Sequence, residues 1–467
     1  MKAGRLFRRY LLWTTAGTLG LALLAYLGLV IINWHDDPPS AAALELDRLY
    51  RERPIPAETD NAYPYLLGFT AAAGVNPSEL GRTRIEWARG AVQPPFTPQL
   101  LEPERSRFID YQAMRSPSLN ALVNSCTQNE PTCAQSLRTD GNLVERWLAS
   151  EQPLLERYLS LLVYRAIHEP LPYDPRLSLP DYRQILDGQR LLLIQAWQLA
   201  SRGEALQVNS LLEKDLAFWR MALANADIII SKMVATTAIK QHFLWANRAL
   251  RQLPAERVQS AIPDSWRQPL APRERSMLRA FSGELAFTDR CIQLMKAGQF
   301  DWTTYYSLNN SGALVLSTLV MPFLLRQTSN NQQAQFLLDL EQAFAVPYPQ
   351  IDNAIAQAKV IHDAQIPKRL NLSHLHNLTA NLLNTLDSDT DYSQYLIRVT
   401  DLEGLRRAAL LLAHLRSQGV AAAAVAPQMQ QSELNNPYSQ APFDWAPDPG
   451  TLSFASPSRD EVYEFEY

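Results

Sequence analysis

Hydrophobic positions follow three successive patterns along the chain. Leu11 to Trp34 is an uncharged run of 24 residues. As one helix it rises about 36 Å, enough to cross a hydrocarbon core of roughly 30 Å with some tilt. From residue 142 to 419, apolar residues recur three and four positions apart, the period of helices with one buried face. Beyond Gly419 that period fades, and Val462 to Tyr467 alternate apolar and acidic, as a strand does. The pattern predicts a mainly α chain: an N-terminal single transmembrane helix, a large multi-helix soluble domain and a short β-like C-terminal segment.

Lys2, Arg5, Arg8 and Arg9 precede the uncharged run, and Asp36 and Asp37 follow it. This asymmetry predicts a cytoplasmic N-terminus, with the rest of the chain across the membrane, as in a single-pass protein of a bacterial inner membrane with a periplasmic domain. A cleaved signal peptide is the competing reading, but its apolar region is 7 to 15 residues long and ends in a small-x-small site. Here the run is longer and ends in Asn33, Trp34, His35, Asp36, Asp37 and two prolines, which favours an uncleaved signal-anchor. Ala16 and Gly20 form a small-x-x-x-small pair, the spacing that lets membrane helices pack closely.

In order, the expected segments are a basic stretch at 1–10, the span at 11–34, and an irregular membrane-proximal region at 35–140. Helical subdomains follow at 141–260 and 272–419, then an extended segment at 420–467 with a hairpin. Ser40 is placed to cap a short helix from Ala41, Asn142 a helix to about Ile167, and Asp401 the last helix, to Arg416, while after Pro180 another helix runs from Asp181 to about Ala200. Val208 to Leu250 is apolar around most of a helical cylinder, with a break expected near Asn225 to Asp227. Ala313 to Leu325 is too short to span and carries Pro322, so it reads as a buried helix, with a re-entrant membrane contact as the alternative. Residues 421–433 read as a flexible or surface segment. Pro449 and Gly450 mark a hairpin turn.

Composition changes the picture in two places. Net charge is −4 overall, and the first ten residues contribute +4, so the remainder stands near −8. An acidic body has no general electrostatic reason to seek phosphate, which argues against nucleic acid. Three cysteines are present, and in an oxidising compartment Cys126 and Cys133 would close a short loop worth roughly 2 to 3 kcal/mol. Cys291, flanked by apolar residues, reads as a small buried hydrophobe.

Candidate chemistry is sparse. His168 and Glu169 precede a proline loop, a plausible place for an acid and base, and His242 lies in the densest apolar stretch. His374 and His376 are two apart, a spacing that diverges on a helix. Asp387, Asp389 and Asp391 open like a calcium loop, but Tyr392 stands at the sixth position and Arg398 at the twelfth, where glycine and glutamate belong. No Walker loop, dinucleotide fingerprint, His-Glu-x-x-His or Gly-x-Ser-x-Gly elbow occurs, and no cofactor is implied. An anchored helical body without a chemistry motif points to a protein-interaction or scaffold component that engages another envelope protein, with a homo-oligomer left open. Alternatives are a tethered hydrolase acting on an envelope polymer and a lipid- or small-ligand-binding module.

Overall fold

The computed structural model describes residues 2–92, 111, 117, 120, 121, 124, 141–171, 173–300, 316–365, 372–386, 391–458 and 461–467. The described helices are, in order, α1 (Lys2–Ile32), α2 (Ala41–Arg51), α3 (Tyr63–Leu67), α4 (Pro77–Ala91), α5 (Gly141–Ser150) and α6 (Gln152–Leu161). Then come α7 (Tyr182–Ser201), α8 (Ala205–Asn225), α9 (Ile229–Leu250), α10 (Ala255–Ala261), α11 (Pro272–Arg275) and α12 (Leu278–Lys296). The last are α13 (Arg326–Phe344), α14 (Ile351–Gln365), α15 (Leu378–Leu386), α16 (Ser393–Ser417) and α17 (Val425–Gln430), before strands β1 (Asp444–Ala446), β2 (Thr451–Ala455) and β3 (Val462–Glu466). The fold is mainly α with a small C-terminal sheet. It divides into two compact units: Met1–Arg48, Leu285–Leu340 and Gln357–Asp391 form one; Leu49–Glu284, Glu341–Ala356 and Tyr392–Tyr467 form the other.

In the first unit, α1 is the one described helix long and apolar enough to cross a membrane, over Tyr10–Ile32, with that stretch unburied by the rest of the chain. Among the described residues, a single N-terminal helix therefore anchors the protein, and most of the chain follows it. The helix leaves the membrane through a network of side-chain bonds. Asn33 donates to the Leu375 carbonyl at 2.8 Å and accepts the Asn377 N–H at 2.7 Å. Asp36 caps α13, accepting the N–H groups of Gln327 and Thr328 at 2.8 Å each. Burial opposes its charge, but those N–H groups at a helix N-terminus outweigh it and hold the carboxyl below its ordinary range. Ser40 caps α2 as expected, accepting the Ala43 N–H. Cys291 packs with Ile292, Met295, Met321 and Leu324 in the small core of this unit.

At the centre of the second unit lies α9, packed by α7, α8 and α16. α8 and α9 come from the dense apolar stretch, and the expected break falls at Ala226–Ile228, where the backbone is extended. Asp181 caps α7 by accepting the Gln184 N–H, and Gly203, at φ 76°, turns the chain into α8. Arg220 on α8 stitches down the proline-rich stretch that follows α10: it binds both Glu274 oxygens and donates to the carbonyls of Ser265, Gln268 and Pro269. Antiparallel β1, β2 and β3 lie in that order, with Leu452 opposite Phe465 and Phe454 opposite Tyr463. These four apolar residues are buried, as the alternation of the tail requires.

The structure corrects several sequence expectations. The helix expected from 142 to 167 breaks at Glu151, where Pro153 enters the first turn of α6. Leu316–Val320 is a π-helical turn and Met321–Phe323 a 3₁₀ turn, so the described part of the 313–325 stretch is not an α-helix; Pro322 removes a backbone donor there. The 421–433 segment holds α17, fixed by buried Val425 and Met429. Asp401 is no cap but sits in the middle of α16, buried, because C-terminal hydroxyls from Tyr438, Ser456 and Tyr463 bind it at 2.5, 2.8 and 2.9 Å. The expected Cys126–Cys133 disulfide is also corrected. No disulfide is present among the described residues, and those two cysteines lie outside them.

Candidate functional site

His168 and Glu169 belong to a buried ionic cluster at the start of α9. Glu169 is 2% exposed and Asp227 fully buried. Asp227 accepts Arg279 Nε at 2.6 Å, pairs with Arg53 at 3.0 Å and accepts the Glu169 N–H at 3.2 Å. The Glu169 carboxyl accepts the Ser231 hydroxyl at 2.8 Å, and Tyr182 bonds that same hydroxyl. Burial, reinforced by the charge of Asp227, pushes Glu169 up to about 8. Burial likewise lifts Glu284 to about 7, although its carboxyl accepts the Ile229 N–H and so supplies the cap that Ile228 cannot give α9. Gly283 permits this approach, since a Cβ there would stand 1.8 Å from the Asp227 carbonyl oxygen.

His168 sits at the edge of the cluster, its backbone clamped on both sides by the Asn61 amide at 2.9 Å. Burial and the nearby Arg53 charge hold its imidazole below its ordinary range. With Glu169 and Asp227 sealed from solvent, the arrangement binds α9 to its neighbours, and a substrate has no access to these carboxyls. The sequence placed His168 and Glu169 together but gave no sign of Arg53, Asp227 or Arg279, whose convergence is tertiary.

His242 lies elsewhere, in a second network that is closed completely. Its Nδ1 stands 2.8 Å from Asp215 and its Nε2 accepts the Trp266 indole N–H at 2.9 Å, which fixes the proton on Nδ1. Asp215 also accepts Tyr158 and the Gln189 amide, and Gln189 donates onward to the Ala238 carbonyl at 2.9 Å. Both histidine nitrogens are used and both His242 and Asp215 are fully buried, so the triad-like geometry lacks a nucleophile and an opening.

One accessible concavity of the second unit is a groove of about 950 Å³ between α9, α16 and β3. Arg190, Lys240, Arg248, Arg251 and Arg398 line it, against Glu461, Glu464 and Glu466. Lys240 pairs with Glu461, Arg251 with Glu466 and buried Arg190 with Asp187, so the hairpin is held at the wall by its own charges and three of the five cations are already matched. Arg248 stacks over the Trp245 ring at 5.1 Å, and exposed Arg398 has no ion-pair partner among the described residues. A cationic excess here, on a body whose net charge is negative, is a local reversal of field. Nothing in the sequence marked it, because its residues span positions 190 to 466.

Of the remaining candidates, Asp387 and Asp389 lie outside the described residues, while Asp391 is exposed. No group of three metal-ligating side chains occurs among the described residues. His374 and His376 are not brought together with a third ligand; His376 faces Asp37 at 3.7 Å. Ala16 is exposed on α1, and Gly20 has no atom of the chain within 4 Å of where a Cβ would stand.

These features define a membrane-anchored, mostly helical protein with a cationic groove in its soluble body. Comparison of the chain with models of protein families, with curated proteins and with solved structures finds no match to any of them.

Proposed function

We propose that this protein is a membrane-anchored interaction component that holds an acidic segment of another envelope protein in the groove of its second unit. The observation that carries this reading is the placement of Arg248, stacked on Trp245, and exposed Arg398 on the groove wall of an otherwise acidic body. Arginines beside an aromatic wall favour carboxylate-bearing peptide through paired N–H donors and charge steering. The basic N-terminal residues support an orientation with that end in the cytoplasm and the groove on the periplasmic side. A hydrolase would need two carboxylates free to converge at the groove, but Glu461 and Glu466 are engaged with Lys240 and Arg251, which leaves Glu464 alone of the three on its wall.

The test is site-specific photocrosslinking in cells, with p-benzoyl-phenylalanine at Val462, an exposed groove residue. A discrete protein adduct is expected, falling at least about tenfold when Arg248→Glu and Arg398→Glu are combined, as expected for loss of two charge-assisted contacts. An adduct that survives this charge reversal, or a groove that labels no protein, overturns the proposal.

A further inference from the structure

A second feature of the first unit concerns the bilayer itself. Tyr26 lies inside the apolar stretch Tyr10–Ile32, and its ring meets Phe323 edge-on with centroids 5.2 Å apart. The stretch is 23 residues long, so as a helix it rises about 34 Å, some 4 Å more than a typical hydrocarbon core. Tyr26 precedes Ile32 by six residues, about 9 Å along the axis. Even if all the excess length projected beyond the exit face, Tyr26 would remain about 5 Å below the hydrocarbon boundary. Phe323, with its ring centroid 5.2 Å away, lies within about 5 Å of that depth.

We infer that the segment Leu319–Phe323 is a second membrane contact, a short apolar wedge seated among the acyl chains of the leaflet in which α1 ends. Leu319 is 52% exposed, and Thr318 and Pro322 are exposed beside it, while Phe323 and Met321 are buried and hold the wedge to the protein. From Leu316 to Leu325 the chain carries no charge. Irregular backbone is tolerated at such depth only when its polar groups find partners within the protein. That condition is met by the two tight turns, by Thr379 donating to the Val320 carbonyl at 2.5 Å, and by Lys296 donating to the Leu324 carbonyl at 2.8 Å. Lys296 is itself exposed, and an ammonium at the base of an apolar wedge suits the headgroup level. The bonds of Asn33 and Asp36 to Leu375, Asn377 and α13 keep α1 from swinging away from the wedge. The occupant of this face is therefore lipid, by continuity with the anchor.

The test uses the full-length protein in vesicles of phosphatidylethanolamine and phosphatidylglycerol, with p-benzoyl-phenylalanine at Leu319, at Thr318 as a second exposed position, and at Leu21 within the span as reference. After irradiation, mass spectrometry reads lipid adducts. Yields at Leu319 and Thr318 within about threefold of Leu21 are expected of probes at acyl-chain depth. Yields at the level of unirradiated protein, or adducts to a second copy of the chain in place of lipid, overturn the inference.

Discussion

Glu169→Gln replaces a buried carboxyl by a neutral group of the same shape that can still accept the Ser231 hydroxyl. In the native protein this carboxyl stands near 8, against 4.5 for an exposed glutamate. Below about pH 4.5 both native and unfolded chains hold the proton; between 4.5 and 8 the unfolded chain releases it while the native one keeps it, so stability falls as pH rises through that window. The displacement corresponds to roughly 5 kcal/mol at about 1.4 kcal/mol per pH unit. Relaxation around an ionised buried site reduces what is observed, and at least ~2 kcal/mol should survive. Glu284, lifted to about 7, acts with the same sign, so the substitution flattens the pH dependence without abolishing it. Urea denaturation of the full-length protein in detergent micelles, followed through its tryptophans, supplies the measurement. Wild type and Glu169→Gln should have similar stability at pH 5, and the variant should be the more stable at pH 9. An identical difference at both pH values would show that Glu169 is already ionised in the native protein, and would refute the reasoning.

Two further substitutions probe the supports of the fold. Asp401→Ala leaves the hydroxyls of Tyr438, Ser456 and Tyr463 without their shared acceptor; thermal melting should show a loss of about 3 kcal/mol or more, with cleavage by protease appearing first in the C-terminal sheet, whereas Asp401→Asn should lose less. Gly283→Ala forces a methyl against the Asp227 carbonyl oxygen and should destabilise by about 3 kcal/mol in the same melting assay, while Gly90→Ala, with no atom within 4 Å of the added group, should be neutral or stabilising by up to about 1 kcal/mol. Equal effects at the two glycines would show that α12 does not approach the α8–α9 link as described.

The anchor, the helical body, the break between α8 and α9, and the C-terminal hairpin were all legible in the sequence. Each depends on a periodicity or a breaker within a few tens of residues: the uncharged run before Trp34, the spacing around Asn225 to Asp227, the turn at Gly450. Burial and partnership were not legible. Asp401 has the local look of a helix cap, but α16 begins eight residues earlier, because a buried carboxylate supplied with three hydroxyls from the C-terminal segment is tolerated within a helix. Glu169 looked no different from the glutamates on solvated helix faces. Its raised proton affinity comes first from the helices that exclude water around it, and then from the charge of Asp227, 58 positions away. The cationic groove gathers side chains from α7, α9, α16 and β3, and the wedge at Phe323 meets a ring almost 300 residues earlier in the chain. Sequence alone determined the apolar anchor and the main helices around it, since backbone hydrogen bonding and side-chain period are local, but not the break at Glu151, the π and 3₁₀ turns at Leu316–Phe323 or α17. Tertiary structure alone decided which charges are sealed, which line the groove and which apolar turn meets the anchor helix, since solvation and Coulomb energy depend on neighbours in space.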